Sequence, residues 1–380
     1  MEALRALIPG ALAPTGNPIS TSGLGDNTAL AVTNFQSCFL DSGTSALAVA
    51  LIDARARRAN VKFPKVIIPG YCCPDLVSAA KFAGLQPVAV DIGREDASYD
   101  LHQLAQVMDT DTVAVIAINF LGVAERLEAI REVIGTRDVA LVEDNAQWLP
   151  ASEYTSVADY VVFSFGRGKP LSLLGGGVVF YRATLAELQF EPDEYGQTGY
   201  TYRLKLFAYN LMLRPVGYRL VCLLPFLRLG LTVYKPKTKI AFMDSQRLKL
   251  LGANLAAYRV RSQGLETSLL NAFVAVDRNP YSALSSNRSG RLLRFPVLCA
   301  SEQERDRLLA ELVGLGASAL YGRSIDQVEG VGALVEVPYP LINAKSFASR
   351  LLTLPLHRYV EKHYLQSLLR KLQGFFHRPL

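Results

Sequence analysis

Charge is in short supply in this chain. Of its 380 residues only 19% are Asp, Glu, Lys or Arg, while 50% are apolar; soluble domains usually carry about 25% charged residues. That balance excludes an intrinsically disordered chain, which combines low hydrophobicity with high charge. Histidine is also scarce. His102, His357, His363 and His377 lie far from any His-Glu-x-x-His or Cys/His ligand spacing, so no metal site is expected. The five cysteines (Cys38, Cys72, Cys73, Cys222 and Cys299) are odd in number and form no Cys-x-x-Cys. This excludes a disulfide-stapled scaffold and points to a reducing, cytoplasmic compartment. The net charge of +6 comes from basic residues in ones and twos, such as Arg291 and Arg294. No basic run interleaved with aromatics occurs, so nucleic acid is not an expected partner. The first residues, Met-Glu-Ala-Leu-Arg-Ala-Leu-Ile-Pro, carry an acid at position 2 and no apolar run long enough for a signal peptide, and they read as a mature arm.

What is present is alternation. Apolar, β-rich runs at Lys65–Ile68, Pro87–Ile92, Thr112–Ile118, Val139–Glu143, Tyr160–Phe165 and Gly176–Tyr181 are predicted strands. The first four are nearly continuous Val/Ile/Ala stretches, as parallel strands covered on both faces require. Between them lie predicted helices at Thr44–Arg58, Asp75–Phe82, Asp100–Met108 and Arg126–Val133. The pattern predicts an α/β fold with a mostly parallel central sheet flanked by helices. In such sheets functional residues gather past the carboxyl ends of the strands. The stretch from Leu204 to Val233 is apolar, but Arg214, Pro215, Arg219, Pro225 and Arg228 interrupt it before the roughly 18–20 clean residues of a membrane span accumulate. It is expected at a subunit or domain interface, with a membrane surface as the alternative. A helical pattern from Ser245 to about Phe273, a β-type run at Arg294–Leu298 and helices at Glu302–Leu312 and Val360–Leu372 predict a smaller α+β domain. The expected division is an N-terminal arm (1–35), a large domain (36–203), the apolar insertion (204–235) and the small C-terminal domain (236–380).

Three segments at predicted strand ends carry chemistry. Asp41-Ser-Gly-Thr-Ser-Ala-Leu47 is a small-residue turn opening a helix; Gly43 permits close approach, and the N–H groups of Thr44 and Ser45 suit a phosphate. By itself such a turn is usually only a helix cap. Val139-Ala-Leu-Val-Glu-Asp-Asn-Ala-Gln147 ends an apolar strand in Glu143 and Asp144, followed by Gln147. An acid there can bind a cation, act as acid or base, hold a protonated ring nitrogen, or merely cap a helix. Phe163-Ser-Phe-Gly-Arg-Gly-Lys169 delivers Ser164 and then Lys169, with three glycines leading into the next strand. A lysine partly desolvated on such a turn can form a Schiff base. In order, the three segments supply phosphate donors, an acid and an amine, the three contacts of pyridoxal 5′-phosphate.

At this point the chain resembles the DegT/DnrJ/EryC1/StrS family, sugar aminotransferases of the fold-type I pyridoxal-phosphate superfamily. The resemblance is carried by Ser42-Gly-Thr-Ser-Ala-Leu47, Pro69-Gly-Tyr-Cys-Cys73, Val90-Asp-Ile92, Asn119-Phe-Leu-Gly122, Glu143-Asp-Asn-Ala-Gln147, Phe163-Ser-Phe…Lys169 and Leu354-Pro-Leu-His357. It implies that Lys169 binds the cofactor covalently and then shuttles a proton. Asp144 would pair with the pyridinium nitrogen, Gln147 would lie near the ring, and Gly43, Thr44, Ser45 and Ser164 would hold the phosphate. It further implies a homodimer, an amino-acid donor (usually glutamate) and a keto-sugar acceptor, commonly nucleotide-linked.

The sequence departs from the family pattern in three places. Cys73 stands where a ring-stacking aromatic is usual. Leu174-Gly-Gly-Gly177 lacks the acid of the usual Gly-Glu-Gly-Gly. Lys239-Ile-Ala-Phe-Met243 lacks the Asn that reaches a neighbouring subunit's phosphate, with Lys235, Lys237 and Lys239 as candidate electrostatic substitutes. Members that dehydrate sugars carry His in place of the lysine, and Lys169 argues against that branch. The alternatives left open are a pyridoxal-phosphate enzyme acting on a non-sugar ketone and a family-fold binding or regulatory protein in peripheral membrane contact through 204–233.

Overall fold

The computed structural model describes residues 11–21, 30–185, 187–190, 192–194, 200–223, 233–275 and 291–376. The expected features at Pro225, Arg228 and His377, and most of the first 29 residues, lie outside them.

The large domain runs β1 (Phe35–Leu40), α1 (Gly43–Arg57), β2 (Lys65–Pro69), α2 (Asp75–Phe82), β3 (Gln86–Val90), α3 (Leu101–Val107), β4 (Thr112–Ile118), α4 (Leu127–Ile134), β5 (Ala140–Asp144), β6 (Tyr160–Ser164) and β7 (Gly177–Arg182). Its seven strands are ordered β1-β7-β6-β5-β4-β2-β3. β2 to β6 pair in parallel, and β7 runs antiparallel to both β6 and β1. The predicted strands fall within one or two residues of these bounds, because apolar runs buried on both faces leave little freedom of register. β1 begins at Phe35, ahead of the expected large-domain start. Its outer residues Gln36 and Ser37 are exposed, so no apolar run betrays it. α1 packs across the sheet with Ser45 to Leu51, Asp53 and Ala54 all buried.

The remainder runs α5 (Tyr200–Met212), α6 (Pro215–Cys222), α7 (Ser245–Arg259), α8 (Gly264–Ala275), β8 (Arg294–Leu298), α9 (Glu302–Leu312), α10 (Ile342–Arg350), β9 (Leu351–Pro355) and α11 (Lys362–Phe376). β8 and β9 form an antiparallel pair. The single helical pattern expected from Ser245 to Phe273 is two helices. Ser262 Oγ accepts the Gly264 N–H at 3.1 Å, a local bond that starts α8 afresh. Pro215 at the first turn of α6 ends α5, since proline is tolerated there and nowhere deeper in a helix. Among the described residues no helix is long and apolar enough to cross a membrane.

The chain entering β8 docks on the turn after β4. Leu293 N–H donates to the Leu121 carbonyl at 2.9 Å. Gly122, at φ +93°, lets the chain pass so close that a Cβ would lie 2.6 Å from the Arg291 carbonyl oxygen. Glycine is therefore required at position 122 both by conformation and by space.

Candidate active site

The residues singled out in the sequence lie at the carboxyl ends of β5 and β6 and at the N-terminus of α1. β5 ends in two carboxylates, and strand alternation sends them to opposite faces. Glu143 is enclosed by donors: Ser156 Oγ at 2.6 Å, Asn119 Nδ2 at 2.6 Å and the Tyr154 hydroxyl. It braces the strand end. Asp144 is only 6% exposed, and among the described residues it forms no salt bridge. One of its oxygens accepts the Ala146 N–H at 2.8 Å. Burial raises its pKa, while the Ala146 N–H and the charge of Lys169 pull it down. A buried carboxylate without an ion-pair partner is costly, and it calls for a cation.

Lys169 follows β6 through a tight turn in which Gly168 has φ +72°. Its charge acts on both Asp144 and the Cys73 thiol. Cys73 thus borders the same space, and burial pushes its thiol up to about 12, so it is a neutral, poorly nucleophilic lining group.

At the start of α1, Ser42 caps the helix by accepting the Ser45 N–H at 3.2 Å. The Ser45 hydroxyl contacts Ser42 Oγ at 2.8 Å and donates to Asp41. The Ser45 N–H and hydroxyl are both engaged in the cap, where they shape the turn. Gly43 and Ser164 are pressed together, and a Cβ on Gly43 would lie 2.5 Å from Ser164 Oγ. That closeness aims the Ser164 hydroxyl at the helix N-terminus beside Thr44. Lys237 reaches the same end, with Nζ 3.2 Å from Ser42 Oγ and 3.4 Å from Asp41 Oδ2. Its loop is held by Ser78 Oγ donating to the Lys235 carbonyl at 2.8 Å. Lys235 and Lys239 are exposed, so Lys237 alone of the three candidates joins the site.

Gln147, expected near the cofactor ring, holds two partners. Its carbonyl oxygen accepts the Leu121 N–H at 3.0 Å, and its amide donates to the Tyr321 hydroxyl at 2.8 Å. Gln147 thus ties the large sheet to the small domain. Asn119, where the family commonly has His, turns into the Glu143 and Asn145 network. Tyr321 was not anticipated. It lies in an irregular segment, and only tertiary contact brings it to the site.

Do these groups suit pyridoxal phosphate? Gly43 packs so closely on Ser164 that no side chain fits at 43, and this brings the Ser164 hydroxyl beside a helix N-terminus and a lysine. The unpaired Asp144 answers a ring N–H, and Lys169 supplies the amine. The residues present fit the cofactor.

Residues 29–213 match the model of the DegT/DnrJ/EryC1/StrS aminotransferase family. Over 142 residues the chain is 29% identical to the dTDP-3-amino-3,4,6-trideoxy-alpha-D-glucose transaminase of Micromonospora megalomicea subsp. nigra, covering 36% of this chain and 37% of that one. Over 115 residues it is 26% identical to the GDP-4-keto-6-deoxy-D-mannose 3-dehydratase of Escherichia coli O55:H7, covering 30% of each. The chain therefore spans about a third of the length of these curated relatives in the parts that match. Helicobacter pylori PseC, an aminotransferase involved in the biosynthesis of pseudoaminic acid, shares the fold with a TM-score of 0.68 at 17% identity, over 96% of this chain and 99% of that one. The expected α/β architecture with a mostly parallel sheet is the one observed, and residues 29–213 of the chain match the DegT/DnrJ/EryC1/StrS aminotransferase family.

Proposed function

We propose that the protein is a pyridoxal-phosphate-dependent aminotransferase that moves an amino group from an amino acid, glutamate in the first instance, to a nucleotide-linked keto sugar. The observation that carries this reading is a buried Asp144 that forms no salt bridge among the described residues, feels the charge of Lys169, and lies near the close Gly43–Ser164 contact. The matched transaminase acts in the same sense by name. The matched dehydratase belongs to the branch from which Lys169 separates this chain.

Bound there, pyridoxal phosphate would supply an aldehyde for the amino group and a ring able to accept the electron pair of a breaking C–H bond. Lys169 Nζ would hold the cofactor through its aldehyde, and its amine, when free, would take up and return the substrate proton. Asp144 keeps a proton on the ring nitrogen. Ser164 Oγ, Thr44 and the α1 N-terminus bind the phosphate, and Lys237 offsets its charge in place of the Asn this chain lacks. Cys73 lines the ring face as a neutral thiol.

Protein loaded with pyridoxamine phosphate and offered a panel of keto-sugar nucleotides should regain visible absorbance with at least one of them. Absorbance regained only with non-sugar ketones would overturn the sugar assignment. Absence of any cofactor binding at saturation would overturn the enzyme reading and favour a binding protein.

We further infer a cytoplasmic protein that docks peripherally on an anionic membrane. Leu204, Phe207 and Leu211 on α5, Leu220 on α6 and Leu223 just after it are exposed, Leu204 by 68% and Phe207 by 67%. Positions 200–223 hold four Lys and Arg and no Asp or Glu. An isologous dimer through this face would set those cations against their own copies, so the homodimer we propose pairs elsewhere. Apolar side chains with surrounding cations suit an anionic lipid surface. Flotation with phosphatidylglycerol vesicles, but not phosphatidylcholine vesicles, is expected, and Phe207→Glu with Leu211→Glu should abolish it. If that double variant instead dissociates a dimer and no vesicles bind, the face belongs to a second copy of the chain.

A further inference from the structure

The N-terminal arm crosses the turn that carries Lys169. Thr15 Oγ1 donates to the Gly168 carbonyl at 3.2 Å, and Asn17 Nδ2 donates to the Pro170 carbonyl at 3.3 Å. Those carbonyls belong to the residues immediately before and after Lys169, and each bond spans 153 positions. The turn's own bond, from the Lys169 N–H to the Gly166 carbonyl, is long at 3.4 Å and therefore weak. Gly168 lets the arm lie this close: at φ +72°, a Cβ on it would sit 2.9 Å from Thr15 Cγ2.

The arm is fastened on both sides of this contact. Upstream, the Ala11 N–H donates to the Pro215 carbonyl of α6 and the Leu12 N–H to the Gly314 carbonyl, each at 3.1 Å. His357, just past β9, donates from Nε2 to the Ala13 carbonyl at 2.7 Å. Downstream, the Asn210 amide of α5 pairs with both main-chain groups of Ile19, each at 2.8 Å. The Asn254 amide of α7 does the same for Ser20, at 2.8 and 3.0 Å. Leu12, Ala13 and Ile19 are buried, so the ends of the arm are held by packing as well.

Only φ and ψ turn the peptide planes about a Cα. A bond to the Gly168 carbonyl fixes the plane that enters Lys169. Pro170 has its φ locked by its ring, so holding its carbonyl restrains the plane that leaves Lys169. We propose that residues 11–20 form a strap that positions Lys169, with Thr15 and Asn17 as its positioning residues. They hold the main chain on both sides of the lysine and so keep its amine in place near Asp144. The role of the amine rests on the aminotransferase reading, whereas the hold on the turn does not.

Thr15→Val with Asn17→Leu, made in the full chain, keeps the bulk of both side chains and removes both donors. Reductive methylation of the cofactor-free protein, read at the Lys169 peptide by mass spectrometry, reports on the amine without turnover. The double variant should label several-fold faster at Lys169, because a turn that opens more often exposes its lysine. Lys65 and Lys371 should keep their wild-type rates. In the cofactor-loaded protein the variant should lower kcat by about 10–100-fold with KM for the donor nearly unchanged. Thr15→Ser, which keeps the hydroxyl, should match the wild type, and Thr15→Val alone should show part of the effect. Unchanged Lys169 labelling overturns the strap, as does faster labelling with kcat at the wild-type value. An effect shared equally by Thr15→Val and Thr15→Ser, or faster labelling at every lysine, reports general loosening and also overturns it. If the double variant does not fold, Thr15→Val against Thr15→Ser is judged by the same criteria. Faster Lys169 labelling in a protein that never binds pyridoxal phosphate would uphold the strap's hold on the turn and overturn only the aminotransferase reading.

Discussion

Lys169→Ala protein mixed with pyridoxal phosphate is expected to show no visible band that borohydride can fix, and to lose at least about 10³–10⁴-fold in kcat. Two roles disappear together: the amine that holds the aldehyde and the base that moves the substrate proton. The phosphate cradle is made by other residues (Gly43, Thr44 and Ser164), so the variant should still bind the cofactor noncovalently. Equilibrium dialysis separates the two effects. A borohydride-fixable band persisting in Lys169→Ala, or turnover within tenfold of wild type, would refute the assignment of Lys169. Retention of both with loss in another lysine variant would move the role to that lysine.

The second large effect divides two neighbouring carboxylates. Asp144→Asn should lower kcat/KM by roughly 10²–10³-fold, because an amide cannot hold a proton on the ring nitrogen electrostatically. It should not lower the stability of the apoprotein. The reason is linkage: the Asp144 pKa is raised by burial above its ordinary 3.8. From 3.8 up to the raised value the folded chain binds more protons than the unfolded one. Stability contributed at this site is therefore fully present at low pH and declines as pH rises through that window. Removing the charge removes that penalty at neutral pH. Glu143→Ala should do the reverse. It leaves the buried donor of Asn119 and the half-buried donors of Ser156 and Tyr154 without their acceptor, which costs about 1–3 kcal/mol. Cofactor affinity should change only through loosening of the strand end. Urea denaturation and cofactor titration on the two variants give the comparison. Equal destabilisation by both would contradict the opposite-face geometry.

Much of the large domain was legible beforehand. β2 to β5 announce themselves as apolar runs without alternation, because both of their faces are covered. Lys169, Asp144 and Gly43 stood out because each follows a strand end at the place where an α/β sheet concentrates its chemistry. The small domain was less legible. β9 is a five-residue edge pair that follows α10 with no turn between them. The break between α7 and α8 depends on a single serine side chain. Ser45 and Gln147 were recognised by position, but no spacing rule reveals that their polar groups are already engaged.

Local sequence settled what local physics controls: which segments become buried strands, where α1 begins, and that a lysine and an acid end up at neighbouring strand ends. The shortage of charge likewise followed from a sheet apolar on both faces. Contacts distant in sequence decided the rest. Lys237 reaches Asp41 across 196 positions, and Gln147 meets Tyr321 across 174. The sequence alone presented Arg294 as one of several scattered arginines. Its burial arises only when β8 packs against the 120–122 turn, because desolvation belongs to the assembled contact and not to any one segment of it.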